Sequence, residues 1–149
     1  MACIDSMDIP RSLLPRLLLP AGSSRKKETD ALGTLDAYSF IIKRLDGQSF
    51  DLHRLVHLAP RNWLRKEAQL AKWTDIEIVR LEDVFPDYEH SNCIIWRALL
   101  THILYALKSD IHDGAKAKRT DLTWRYGMCL YSDGRYDEAE SQILEVFET

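Results

Sequence analysis

Two histidines, His53 and His57, stand one helical turn apart in a chain of 149 residues. Side chains at that spacing share a helix face and can begin a metal site, but no acidic or cysteine third ligand accompanies them. A capping or packing role is the plainer reading of each. Cys129 is a nucleophile by type, yet no basic neighbour would draw off its proton, and Met128 and Leu130 beside it point to a buried, inert thiol. Nowhere does the sequence hold the GxxxxGK[ST] pattern that supplies a phosphate cradle, its lysine and a magnesium-binding hydroxyl. Trp63, Trp73, Trp96 and Trp124 fall on apolar helical faces and are expected in the core rather than as a base-stacking platform. No catalytic residue, metal ligand or cofactor is read from these residues, and the expectation is a binding module rather than an enzyme.

Composition sets the same bounds. A hydrophobic share of 46% with 29% charged residues is that of a folded protein, not of a disordered one. The net charge of -3 gives no electrostatic case for nucleic acid, which usually needs a basic face. From Asp121 to Thr149 two basic residues stand against seven acidic ones, a balance that repels a phosphate backbone. Cys3, Cys93 and Cys129 lie far apart with no CxxC pair, as in a reduced intracellular chain. Asp5 and Asp8 precede the leucine-rich start, and Pro15 and Arg16 interrupt it, so it is not read as a signal peptide. No stretch approaches the roughly 20 apolar residues of a membrane span. A cytoplasmic location is expected.

These residues must be held by some arrangement of elements. Asp46-Gly47 between Ser-Phe-Ile-Ile-Lys-Arg-Leu and Gln-Ser-Phe-Asp-Leu predicts a β-hairpin with a two-residue turn, because Gly takes φ > 0 without strain. Pairing Lys43 with Phe50 and Ile41 with Leu52 places Ile41, Leu45, Phe50 and Leu52 on one face. A helix over Thr29–Tyr38, offering Leu32, Leu35 and Tyr38, precedes the hairpin. Another follows from near Arg54, its apolar side formed by Leu55, Val56, Leu58, Trp63 and Leu64, with Pro60 expected to kink or split it. Residues 1–20 read as an extended or single-turn arm that docks its leucines, and 21–28 as a polar loop in which Arg25–Lys27 is a solvated connector. Helix, hairpin, helix is the order found at the end of a winged-helix domain.

Downstream, a helix over Trp73–Phe85 is expected to bury Trp73, Ile76 and Val84 and to open on the capping box Thr74-x-x-Glu77. Asn92–Ser109 repeats apolar residues at three- and four-residue steps from Trp96 to Leu107. Leu122–Tyr131 and Tyr136–Phe147, joined by Asp133-Gly134-Arg135, form an antiparallel helical hairpin. Within it Gly127, Gly134, Tyr136 and Ala139 keep the spacing of a tetratricopeptide repeat (TPR): a small residue where helices cross, a turn glycine, an aromatic filling the gap, and an alanine in the second helix. Because one such repeat cannot bury its own apolar face, Asn92–Ser109 is read as half of a degenerate preceding one.

The strings "DAYSFI", "DLHRLVHLA", "RNWLRKE", "VFPD" and "GMCLYSDGRYDEAE", with "DIPRSLLP" near the start, resemble NB-ARC/tetratricopeptide proteins of filamentous fungi. These are NLR-like signal-transducing ATPases. The resemblance covers nearly the whole chain, at the junction between the nucleotide-binding module and the repeats. It implies a winged helix whose "MHD" histidine reaches the β-phosphate of bound ADP. Leu52-His53-Arg54 occupies that place, so His53 carries over as an ADP contact if a nucleotide-binding domain is present, while Arg54 stands where the family has an acidic residue.

The expected architecture is therefore mainly α. Residues 1–70 form a winged-helix-like remnant with one β-hairpin, 71–117 a helical linker or degenerate repeat, and 118–149 a TPR-like helical hairpin. The expected function is a non-catalytic interaction and signalling module, a fragment of a larger protein. It would meet protein partners through its TPR-like helices and associate with a nucleotide-binding domain or with itself, with no membrane contact. The rival is a small winged-helix DNA-binding protein, favoured by helix-hairpin order and by Arg61, Arg65 and Lys66 after the wing. Against it stands the absence of Lys and Arg from Thr29–Tyr38, which holds Asp30 and Asp36.

Overall fold

Alternating Ile41, Lys43 and Phe50, Leu52 across a glycine turn build the hairpin as the pattern requires. In the computed structural model, which describes residues 2–14, 21–45, 47–109 and 115–148, strand β2 (Ile41–Lys43) pairs antiparallel with β3 (Ser49–Leu52), matching Ile41 with Leu52 and Lys43 with Phe50. The register is the expected one; the turn is wider. Arg44 N–H donates to Ser49 O at 3.0 Å and Gly47, at φ 64, donates to Arg44 O at 3.0 Å. Leu45 thus belongs to the turn and is fully exposed rather than on the inward face, and Asp46 lies outside the described residues. A third strand went unforeseen: β1 (Ile9–Pro10) pairs with β3 on its other edge, giving the order β1-β3-β2. Pro10 is tolerated there because β1 is an edge.

Helix α1 (Ala21–Ala37) begins eight residues earlier than the Thr29 start expected from apolar spacing, so 21–28 is helix and not loop. Its first turns hold no apolar stripe to reveal them, and the basic triplet Arg25–Lys27 rides on the helix. Leu32 is buried and Leu35 half-buried, while Tyr38 is exposed and stacks on Phe40 at 5.8 Å. Leu17 to Leu19 of the expected docking arm, with Pro15 and Arg16, lie outside the described residues.

Helix α2 (Arg54–Lys66) runs unbroken through Pro60. Its buried side is His57 and Leu64, with Val56, Leu58 and Arg61 half-buried; Leu55 and Trp63 face out. Helix α3 (Leu70–Val84) starts before Thr74, whose hydroxyl donates back to Leu70 O at 2.9 Å instead of capping. Leu70, Thr74, Glu77, Ile78 and Leu81 are its buried face, so Trp73 and Ile76 are half outside the core and Val84 only partly within it. Helix α4 (Cys93–Leu107) buries Trp96, Leu99, Leu100, Ile103 and Leu107 as its period predicts, and His102 with them. Of the four tryptophans only Trp96 is core. Helices α5 (Lys116–Ser132) and α6 (Tyr136–Glu148) complete the chain. Most buried apolar residues from Ile4 to Ala139 form one core, beside which Cys3, Leu64 and Leu70 make a second small cluster.

That core is closed by the N-terminal arm. Three side chains receive carbonyls of the arm: Arg61 Nη1 donates to Ala2 O at 2.9 Å, His57 Nε2 to Ile4 O at 2.8 Å, and His102 Nε2 to Asp8 O at 3.1 Å. Arg61 also lies over the Tyr105 ring at 5.0 Å and donates to Ser109 Oγ. His102 is fully buried, and its Nδ1 has no hydrogen-bond partner among the described residues. Burial holds its pKa below the ordinary 6.5, although the Asp8 carbonyl and the Asp5 and Asp8 charges pull the other way.

A pH dependence follows, with its sign. The folded state keeps His102 neutral while the unfolded state takes up a proton below about pH 6.5, so stability is level above that point and declines as pH falls through it toward the lowered folded value. Urea midpoints measured from pH 8 to pH 5 should decline in this way in the parent chain. A His102→Gln variant, which keeps a donor for Asp8 O without a titrating ring, should lose that component.

Candidate functional site

Sequence reasoning singled out His53, Gly127, Gly134, Tyr136 and Ala139, and the fold divides them between two places. His53 ends β3 and opens α2 as its N-cap. Leu55 N–H donates to His53 Nδ1 at 3.3 Å, satisfying one of the helix's free first-turn donors. With Nδ1 accepting, the neutral ring carries its proton on Nε2, at an exposed position beside the helix N-terminus. His57 is turned away: its Nε2 is taken by Ile4 O and its ring meets Tyr105 edge-on at 5.6 Å. Among the described residues no group of three or more His, Cys, Asp or Glu is placed to hold a metal ion.

The other residues form the α5–α6 hairpin, antiparallel and joined at Asp133–Arg135. Gly134 takes φ 80, where a side chain would be strained. A Cβ on Gly127 would lie 2.7 Å from Ile143 Cγ1 and 3.6 Å from Ala139 O, and Ala139 is buried. The two helices cross where their small residues meet. Tyr136 departs from expectation: it is exposed and leans on Tyr131 at 5.2 Å, because as the first residue of α6 it sits at the turn, a helical turn short of the crossing. Ile143, not an aromatic, occupies the gap.

Sequence reasoning missed what binds this hairpin to the rest. Arg125 Nη1 donates to Phe85 O at 2.7 Å, and its Nη2 to Glu82 O and Glu82 Oε1 at 3.0 Å each, while Nε reaches Asp121 at 3.0 Å. Lys118 adds a contact to Glu82 at 2.5 Å, and this hydrogen bond, with both cations, holds the Glu82 carboxyl below the usual range. Arg125 thereby caps the C-terminal end of α3, a role no local spacing announces. Burial pushes the Cys129 thiol up to about 12, so at neutral pH it is no thiolate. Cys3 is also buried and Cys93 half-buried.

The fold and site define a mainly helical protein with one small antiparallel sheet, in which the conspicuous polar groups cap, bridge and anchor. Over 141 residues, 94% of its length, the chain is 38% identical to a nucleotide-binding leucine-rich repeat (NLR)-like protein of Hyaloscypha variabilis, of which it spans 14%. This similarity supports an NLR-like relationship. No family profile matches the chain, and no solved structure matches it. Among the described residues no helix is long and apolar enough to cross a membrane.

Proposed function

We propose that the chain is a non-catalytic, cytoplasmic interaction and signalling module from an NB-ARC/TPR variety of NLR-like protein. In this reading residues 1–70 are the winged-helix end of a nucleotide switch, 71–117 a degenerate repeat or linker, and 118–149 a TPR-like hairpin that meets protein partners. The observation that carries it is the close crossing at Gly127, Ile143 and Ala139 with the Gly134 turn, which is what a TPR needs of those positions. A leucine-rich repeat carries a strand in every unit, whereas the described residues of 70–148 are helical or loop. Trp124, Tyr131, Tyr136, Leu144 and Phe147 are all 40% exposed or more, the kind of face that a further helix pair or a second copy covers.

Light scattering on the purified chain tests the reading. Mass should rise with concentration, and Leu144→Glu with Phe147→Glu should return a monomer of unchanged helicity. A parent chain that stays monomeric throughout counts against it. His53, exposed at the start of α2, suits a phosphate oxygen only when a nucleotide-binding domain supplies the rest of the cradle. Fused to such a domain, His53→Ala should speed ADP release; the chain alone should bind none.

One observation favours the DNA-binding alternative more than the sequence did. The helix before the hairpin contains Arg25, Lys26 and Lys27, and the two lysines are exposed. Salt-sensitive retardation of duplex DNA, abolished by Lys26→Glu with Lys27→Glu, would establish that reading in place of the first.

A further inference from the structure

Two helices present apolar side chains to water on faces of opposite charge. Helix α2 is turned inward at His57 and Leu64; on its far side Leu55, Ala59, Trp63 and Lys66 follow at four- and three-residue steps, with Leu55 68% and Trp63 57% exposed. The helix has four cations, Arg54, Arg61, Arg65 and Lys66, and no carboxylate; Glu67 comes only after its end. Arg61 is engaged with the N-terminal arm, whereas Arg54, Arg65 and Lys66 form no ion pair with any described residue. Helix α6 is the converse. It contains no Lys or Arg. Its inner side is held by Ala139 and Ile143, and Asp137, Glu140, Leu144 and Phe147 lie outward at three- and four-residue steps, Leu144 53% and Phe147 75% exposed. Asp137 and Glu140 make no ion pair with a described residue, although their neighbour Glu138 is held in a fork by Arg135 at 2.6 and 2.8 Å.

We infer that the outer face of α2 in one copy of the chain docks antiparallel on the outer face of α6 in a second copy. The inference rests on the reading of Leu144 and Phe147 as an association surface and names what covers them. In the antiparallel sense the two stripes match: Lys66 meets Glu140, Trp63 meets Leu144, and the small Ala59 lies beneath Phe147, because steps of three and four back along α2 run beside steps of four and three forward along α6. Each set spans about 10 Å of helix. Arg65 and Asp137 bring a second charge of each sign to the same end, and the C-terminal end of α2 lies beside the N-terminal end of α6, as helix dipoles favour. A parallel sense would set Lys66 against the apolar end of α6. Apolar contact supplies most of the attraction, since exposed ion pairs contribute little. The charges fix direction and register, and they disfavour pairing of α6 with itself, which would join two helices of five carboxylates each and no cation. Both faces are exposed in one molecule, so the contact is between copies and heterologous: each copy offers α2 to one neighbour and α6 to another, and assembly runs past the dimer. One helix against one helix is a small interface, in keeping with a mass that grows with concentration.

The test is light scattering on the full chain and on two variants, Trp63→Glu with Lys66→Glu in α2 and Leu144→Glu with Phe147→Glu in α6, each first shown by circular dichroism to keep the parent's helicity. At a concentration where the parent exceeds the mass of a dimer, each variant alone should be a monomer. Mixed in equal amounts they should form a dimer and nothing larger, because one retains the α6 face and the other the α2 face. Lys66→Glu and Glu140→Lys should each weaken assembly severalfold, and the two in one chain should restore it in part. An α2 variant that assembles as the parent does would overturn the inference while leaving the association surface on α6 in place. A mixture that stays monomeric, or a Lys66→Glu, Glu140→Lys chain no better than either single variant, would overturn it as well. A parent chain that stays monomeric throughout would remove both readings.

Discussion

Gly127→Val is expected to destabilise the chain by about 2–3 kcal/mol, despite replacing a helical glycine by a residue of better helix propensity. Leaving glycine gains up to about 1 kcal/mol in a helix interior. Against this, the new Cβ lies 2.7 Å from Ile143 Cγ1, and valine adds two methyls beyond it. Ile143 is branched at Cβ and stiff, and Ala139 O stands behind the same contact, so the overpacking cost of roughly 1–3 kcal/mol falls at its upper end or beyond. At about 2–4 °C per kcal/mol for a chain of this size, the thermal midpoint should drop by about 5–10 °C. Ile143→Ala introduced into the valine variant should restore part of the loss. A midpoint equal to the parent's would mean that the crossing is not close-packed.

Arg125→Ala should cost about 3 kcal/mol, and Arg125→Lys should recover less than half of it. The guanidinium serves two carbonyls at the end of α3 and two carboxylates at once, and hydrogen bonds to a charged donor contribute about 1.5–3 kcal/mol where water is largely excluded. A lysine ammonium is a point charge that cannot span that fork. The loss should also be directional. Since Arg125, together with Lys118, links α3 to α5, hydrogen exchange in α5 and α6 should accelerate before that in α2 or the sheet. Uniform acceleration across the chain would show that Arg125 supports the whole core and does not couple one part to another.

The sequence was most legible where a local rule forces the geometry. Ile41, Lys43, Phe50 and Leu52 alternate, and the period of two admits one register. Gly127, Gly134 and Ala139 were legible because a close crossing and a positive φ demand small residues at set positions. Strand β1 was not, since Ile9-Pro10 is too short to show a period and a proline normally argues against a strand. The start of α1 was missed because Ala21–Lys27 has no apolar stripe. Trp63, Trp73 and Ile76 were placed in the core for their size, yet His57, Thr74, Glu77 and His102 took such positions instead. His57 and His102 have ring nitrogens that only the tertiary fold satisfies, whereas Thr74 is satisfied within α3 by Leu70 O, which frees it to face the core. Arg125 escaped notice because its role depends on the end of α3, which is remote in sequence.

The pinned arm also bears on the order of events during synthesis. Ile4, Ile9, Leu13 and Leu14 leave the ribosome well before part of their seat does, for Asp8 O is received by His102, separated from it by 94 positions. At roughly 5–20 residues per second the arm waits on the order of 5–20 s for its seat, with its apolar side chains in water. For that interval the nascent chain is a client for a holding chaperone, and a contact from α4 secures an arm made long before it.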